Sequence, residues 1–202
     1  MQDIISTSIK DVEELIRFVE SGKPVSYLFF WGHQPTKDGS ISKSCMSNWY
    51  RSPFVSDGIT YPTTEHYMMA KKALLFGDEP IYRAILQAKT PQEAKALGRK
   101  VKNFVEEVWN MHRKEIVIAG NEAKFSQQVD LKHYLLSTQD NVLIEASPYD
   151  RIWGIGMAMG EKAIENPRSW KGLNLLGFAL MEVRNRIAMA KDALSRYPCL
   201  PQ

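Results

Sequence analysis

The sequence predicts an α+β fold, a mainly helical single domain with a small β-sheet. Its 202 residues suit one hydrophobic core, because single cores usually stop growing at roughly 250 residues. Segments with helical spacing outnumber the short strand-like segments. The two kinds do not alternate regularly, and this argues against a doubly wound α/β fold.

The chain begins with a predicted helix. Apolar residues recur at helical spacing from Ile9 to Val19. Ser8, followed three positions later by Asp11, resembles a capping box that would start this helix. Gly22 and the proline two positions later end it.

A predicted strand, a loop and a hairpin follow. Residues 25–31 are aromatic and β-branched, which is typical of a buried strand. Residues 32–47 are polar and rich in Gly and Ser, so we expect a loop that serves as a lid. Asp57 and Gly58 separate two short apolar segments, which predicts a β-hairpin.

Helices dominate the rest of the chain. Thr90, Pro91 and Glu93 form a strong helix-start signal. In the predicted long helix 104–124, one face carries Val105, Val108, Trp109, His112, Ile116, Ala119 and Ala123. The other predicted elements are helices at 65–75, 80–89, 91–98, 131–136 and 176–190, and a strand at 142–144.

Composition excludes several classes of protein. A net charge of +3 is too small for a protein that coats DNA. Cys45 and Cys199 lack the spacing of a zinc site or a disulfide framework, so we expect no metal and no cofactor. Without a signal peptide or an apolar span, the chain is predicted to be cytoplasmic.

One helix carries the first candidate chemical groups. Glu65 and Lys72 are seven residues apart, or about 10.5 Å along a helix at 1.5 Å per residue, and they share one face. A small ligand would fit between them. An alternative is purely structural: Glu65 favours the positive N-terminus of the helix, and Lys72 is a solvated surface residue.

A second cluster lies at residues 150–156. Asp150 and Trp153 precede Gly154, and a glycine there would let the backbone approach a ligand closely. A tight turn with a buried tryptophan explains the same residues without a ligand.

Further polar and aromatic residues have both a functional and a structural interpretation. Arg99 would hold a phosphate, or it is an exposed helix end. Trp109 lies on the predicted core face of its helix, and Asn174 suits a helix N-cap. Ser47 and Asn48 precede Trp49 in a polar cluster that core packing does not explain.

Taken together, these segments resemble the NADAR family, which has the YbiA-like fold. The ordered motifs include FFWG, MSNWY, YPTTEHYMMAKKALLF, AKALGRKV, EAKF and EASPYDRIWGIG. The resemblance runs from about Ser26 to Ile187, and it predicts a domain over residues 26–190 between an N-terminal helical extension, 1–25, and a tail, 191–202. The sequence departs from the pattern at Trp49, where many relatives have Phe, and at Ile155, where some have Asp.

The resemblance implies an enzyme that hydrolyses N-glycosidic bonds. The implied substrates are ribosylamino intermediates of riboflavin biosynthesis or ADP-ribosylated guanine, so nucleic acid would enter only as the carrier of a modified base. The residues carried over by motif are Glu65, Lys72, Trp109, Asp150 and Trp153. The competing hypothesis is a non-catalytic module that binds ADP-ribose or another NAD derivative. A membrane partner is not expected, and the oligomeric state stays open.

The chemistry of a ribose C1–N bond suggests a role for each group. Positive charge develops at the sugar, so Glu65 and Asp150 would stabilise it and act as acid or base, in either assignment. Lys72 would alternatively form a Schiff base with C1, which requires burial and a lowered pKa. Trp109 or Trp153 would stack on the base. Arg99 would hold a phosphate, and Ser47, Asn48 and Asn174 would bond ribose hydroxyls.

Overall fold

The computed structural model describes residues 9–196, with only the backbone of residues 191–196. These residues form two compact units: one joins the chain up to Phe30 with the chain from His133 onward, and the other is Trp31–Lys132. The predicted α+β class is confirmed. Within the described residues, no helix is both long and apolar enough to cross a membrane. Ser8 and Cys199, which carried sequence predictions, lie outside this range.

The first unit combines a parallel strand pair with helices. Strand β1, Tyr27–Phe30, pairs in parallel with β4, Val142–Glu145. The last helix, α7, Leu175–Arg196, packs on β4 and continues into the predicted tail. Helix α1, Val12–Glu20, belongs to this unit too. Three apolar side chains of the β1–β4 pair are fully buried: Phe30, Leu143 and Ile144.

The start of α1 differs from the prediction. Asp11, rather than Ser8, is the N-cap, and its Oδ1 accepts a hydrogen bond from the Glu14 N–H at 2.8 Å. An extended residue whose carboxylate reaches the N3 amide satisfies one of the unpaired donors of a helix start. The capping role therefore falls three residues later than the sequence pattern suggests.

The second unit contains the predicted hairpin and four helices. Strands β2, Phe54–Ser56, and β3, Ile59–Tyr61, are antiparallel. Asp57 and Gly58 have φ of 51° and 74°, as a two-residue turn with left-handed central residues requires. The helices are α2, Thr64–Leu75; α3, Glu79–Gln87; α4, Pro91–Gly98; and α5, Glu106–Gln127. Helix α6, Val129–Ser137, then leads towards β4.

Helix α2 lies at the centre of the second unit and packs against α3, α4 and α5. Seven consecutive residues, Thr64–Ala70, are buried. A helix with neighbours on several sides buries polar positions together with apolar ones. This environment encloses the Glu-His-Tyr motif of the sequence.

The buried face of α5 is shifted from the predicted one. His112 is exposed, whereas Val117, Asn121 and Lys124 are buried. These three share one face because they are spaced four and three residues apart. The sequence prediction missed this face because it expected the side chains of Asn121 and Lys124 to face solvent.

Candidate active site

The predicted site residues fall in both units, and each group is described within its own unit. Glu65 lies in the first turn of α2 with its side chain only 3% exposed. Its backbone N–H donates to the Asn48 carbonyl at 2.9 Å. The Oγ1 of Thr63 caps the helix by accepting from the His66 N–H at 3.3 Å. The first-turn position places this side chain at the positive end of the helix dipole.

The segment that carries Ser47 and Asn48 is held in place by α5. The Lys124 ammonium donates to the Cys45 carbonyl at 2.6 Å and to the Ser47 carbonyl at 3.1 Å. The Asn121 amide donates to Asn48 Oδ1 at 3.1 Å. Since Asn48 in turn accepts from Glu65, these bonds connect α5, the 45–48 segment and the first turn of α2.

Lys124 is the most deeply buried cation among the described residues, with 0% exposure. Burial lowers its pKa to about 8. Aromatic rings of Tyr50 and Phe125 lie 5.6 and 5.0 Å from its ammonium. Sequence reasoning missed both Lys124 and Asn121. The available signal was their spacing from Val117, which places two polar residues on an apolar helix face.

Lys72 lies two turns after Glu65 in a different environment. Its ammonium donates to the Gly98 carbonyl at 2.9 Å and lies 4.2 Å from the Phe104 ring centre and 5.6 Å from that of Trp109. The side chain is half-buried, and burial lowers its pKa. The structure therefore brings two predicted site residues, Lys72 and Trp109, together.

The end of α4 approaches α2 closely. A Cβ at Gly98 would lie 2.0 Å from the Met69 sulfur, so a larger residue there would displace the Met69 side chain. The contact places the Gly98 carbonyl beside Lys72. Arg99 follows as the exposed C-cap residue of α4.

In the first unit, Asp150 organises a turn. Its Oδ1 accepts from the Ile152 N–H at 2.9 Å and from the Trp153 N–H at 2.7 Å. Its own N–H donates to Ser147 Oγ at 3.2 Å. One carboxylate oxygen of Asp150 thus fixes the turn that presents the half-buried Trp153.

Gly154 and Asn174 lie next to each other beyond this turn. A Cβ at Gly154 would lie 2.7 Å from the Glu145 carbonyl oxygen, so close packing requires glycine. Asn174 is fully buried; its Oδ1 accepts from the Glu145 N–H at 2.9 Å, and its Nδ2 donates to the Leu143 carbonyl at 2.9 Å. A bond from Asn174 to a ribose hydroxyl would use its second amide hydrogen or second lone pair, and it stays a prediction.

Similarity to known proteins assigns the chain to a family. The profile of the NADAR domain matches residues 29–188. This chain belongs to the NADAR family. All ten predicted site residues lie within this NADAR domain, and no group of three or more His, Cys, Asp or Glu residues within 9–196 is placed to hold a metal ion.

Relatives of this NADAR chain include two N-glycosidases. It is 40% identical to N-glycosidase R617 of Acanthamoeba polyphaga mimivirus over 78% of this chain and 94% of that one. It is 32% identical to N-glycosidase YbiA of Escherichia coli over 72% of this chain and 82% of that one. The solution NMR structure of E. coli YbiA matches with a TM-score of 0.66 and 26% identity, covering 94% of this chain and 95% of the other.

A third relative comes from maize. The chain is 39% identical to the chloroplastic riboflavin biosynthesis protein PYRR of Zea mays over 65% of its own length. It spans only 20% of that much longer protein. The similarity therefore concerns one part of the maize protein.

Proposed function

We propose that the protein is an N-glycosidase that hydrolyses the ribose C1–N bond of a phosphorylated N-riboside. The observation that carries the proposal is one face of α2, where the buried Glu65 precedes the half-buried Lys72 by two turns. Two N-glycosidase relatives that align over most of their own lengths support it.

Glu65 suits the charge that develops when the bond breaks. The sugar passes through an oxocarbenium-like state with positive charge at C1 and the ring oxygen. A buried carboxylate stabilises this charge more strongly than a solvated one, because there is less water to screen it. Asp150 is the second proposed carboxylate; Glu65 and Asp150 share the work of stabilising the sugar and of acting as acid or base.

Lys72 provides a covalent route. The unprotonated amine attacks C1 of the ring-opened imine form of the substrate, and the amino group of the base leaves with a proton as a Schiff base forms. Water then adds to C1 to give a carbinolamine. Breakdown of this carbinolamine returns the lysine amine and releases the sugar. The lowered pKa of Lys72 supports this route, since it increases the unprotonated fraction at neutral pH.

The remaining predicted residues bind the substrate in this proposal. Trp109 or Trp153 stacks on the leaving base, and Arg99 holds a phosphate. Ser47, Asn48 and Asn174 bond the ribose hydroxyls, and Gly154 lets the backbone approach the substrate closely. Two substrate classes fit, ribosylaminopyrimidine phosphates and ADP-ribosylated guanine. The name of the maize relative supports the first.

A substrate panel tests the proposal. The protein is incubated with ribosylaminopyrimidine phosphates and with ADP-ribosylated guanine, and the released base is detected by mass spectrometry. Glu65→Gln and Asp150→Asn should each lower turnover at least about a hundredfold. Glu107→Gln, an exposed acid in the first turn of α5, is the matched control and should keep turnover.

Two results would contradict the proposal. Wild-type turnover in both carboxylate variants would end the two-carboxylate mechanism. Tight binding of ADP-ribose in a titration, with no released base from any substrate of the panel, would favour the non-catalytic binding module instead.

A further inference from the structure

The second unit contains a cavity of about 310 Å³ that none of the predicted site residues lines. Its volume lies at the lower end of the range for small-molecule sites. The lining comes from the 33–35 loop, from the segment after Asn48, from the start of α2, and from the α3–α4 connection. Four separate parts of the chain therefore converge on this space.

The cavity faces a different side of α2 from the proposed catalytic groups. His66 lines it, whereas Glu65 and Lys72 do not. Successive helix residues are rotated by about 100°, so His66 points away from the shared face of Glu65 and Lys72. The cavity is thus separate from the face of α2 that carries Glu65 and Lys72.

Cationic groups dominate the charged lining. Arg51 and Lys89 line the cavity, both are exposed, and no carboxylate lines it. Within residues 9–196, neither cationic side chain forms a hydrogen bond or an ion pair. The nearby carboxylate of Glu93 accepts from the Lys89 backbone N–H at 2.7 Å, and this bond closes the start of α4. An anion in the cavity would therefore meet two cationic side chains that are not held in an ion pair.

His66 forms a neutral wall of this cavity. Its Nε2 lies 3.2 Å from the Ala88 carbonyl, which can only accept, so Nε2 carries the hydrogen. Its Nδ1 accordingly accepts from Thr63 Oγ1 at 2.8 Å. Both ring nitrogens are engaged and the ring is buried, which leaves the anion to Arg51 and Lys89.

An aromatic surface lies beside these cations. Trp49 lines the cavity and is half-buried, and the His33 ring lies 5.5 Å away at a tilt of 57°. The Lys95 ammonium lies 5.7 Å from the centre of the indole ring. Trp49 therefore gives the cavity an aromatic wall whose position two neighbours fix, and an indole can stack on a planar base.

We propose that this cavity binds a nucleoside monophosphate, with its base on Trp49 and its phosphate between Arg51 and Lys89. The combination of an aromatic side chain with two cations outside any ion pair fits a ligand that has both a planar and an anionic part. A free sugar phosphate would leave Trp49 unused, and a free nucleoside would leave both cations unused. This binding does not depend on glycosidase activity.

Calorimetric titration of the full chain with AMP tests the site. AMP should bind at least about tenfold more tightly than adenosine or ribose 5-phosphate, because each fragment loses one kind of contact. The double variant Arg51→Gln/Lys89→Gln and the single variant Trp49→Leu should each weaken AMP binding at least about tenfold. Arg83→Gln, an exposed cation of the same unit outside the cavity, should bind as wild type does.

The same experiment separates this proposal from the glycosidase proposal. Chromatography of the titrated sample detects any adenine released, and Glu65→Gln should keep AMP binding whatever its turnover. Circular dichroism spectra of all variants verify their folding. Absence of AMP binding, or equal affinity in wild type and the folded double variant, would overturn the nucleotide site and leave the glycosidase proposal untouched.

Discussion

Two lysines of the second unit show how differently a buried ammonium can be used. Lys124 is enclosed in the last turn of α5 and donates to two carbonyl oxygens, those of Cys45 and Ser47. Lys72 is half-buried at the end of α2 and donates to one carbonyl, that of Gly98. Burial lowers the pKa of both.

A lowered pKa alone therefore does not identify a reactive lysine. The Lys124 amine is enclosed with its donors directed at backbone, so it fixes the 45–48 segment. Lys72 has one bond to backbone, aromatic rings on other sides and partial exposure, so solvent reaches its side chain. The number of fixed donors and the access of solvent distinguish the two lysines better than the pKa does.

The largest expected effect comes from removing the Lys124 side chain. Lys124→Ala leaves a cavity and removes the donor to two buried carbonyls, so the free energy of unfolding should fall by about 4 kcal/mol. Urea denaturation measures this change. Lys124→Met, which keeps most of the volume, should lose clearly less, because it also removes the cost of burying a charge. Equal losses in the two variants would show that packing contributes little.

The pH dependence of stability tests the same buried ammonium. The pKa of Lys124 is about 8 in the folded protein and near 10.4 in the unfolded chain. Between these values the unfolded state binds more protons, so the Lys124 contribution to stability rises with pH, by about 3 kcal/mol in total. Unfolding of wild type and Lys124→Met is compared from pH 7 to 11. A constant difference between the two proteins across this range would contradict the lowered pKa.

Lys72 should behave in the opposite way, with a large effect on turnover and a small one on stability. Lys72→Arg keeps a cation but removes the attacking amine, so turnover should fall at least about a hundredfold while stability changes by about 1 kcal/mol or less. Borohydride reduction during turnover should attach the sugar to Lys72 in wild type. Failure to trap any adduct, together with full turnover in Lys72→Arg, would exclude the Schiff base.

The smallest expected effect concerns Asn121. Asn121→Ala removes the bond to Asn48 and the bond to the Val117 carbonyl, and should cost about 2 kcal/mol of stability. Gln127→Ala is the control on the same helix, because its bonds to the Val55 backbone are exposed. Asn121→Ala should also raise KM, because the 45–48 segment loosens. A KM equal to that of wild type would show that Asn121 only packs the core.

Local signals predicted much of the fold because they act within a few residues. The Asp57-Gly58 turn and the Thr90 cap of α4 both appear as expected, with the Thr90 Oγ1 accepting from the Glu93 N–H at 3.1 Å. The predicted cap of α1 was wrong because the sequence offers two candidate acceptors within one turn, Ser8 and Asp11. Which acceptor caps the helix depends on where the backbone becomes extended.

The candidate site was less accessible to sequence reasoning, because it depends on contacts between distant segments. The motifs pointed to Glu65 and Lys72 but not to the Lys124 and Asn121 bonds, which span more than seventy residues. The amide of Asn174, expected to be a cap or a sugar ligand, connects α7 to β4. Such roles become visible only when the partner backbone is known.

The order of segments along the chain also affects how the protein is made. Strand β1 is synthesised early, but its parallel partner β4 leaves the ribosome about a hundred residues later. At 5–20 residues per second this delay is roughly 5–20 s. The continuous unit Trp31–Lys132 can complete its own core in that interval, while the exposed edge of β1 waits for its partner.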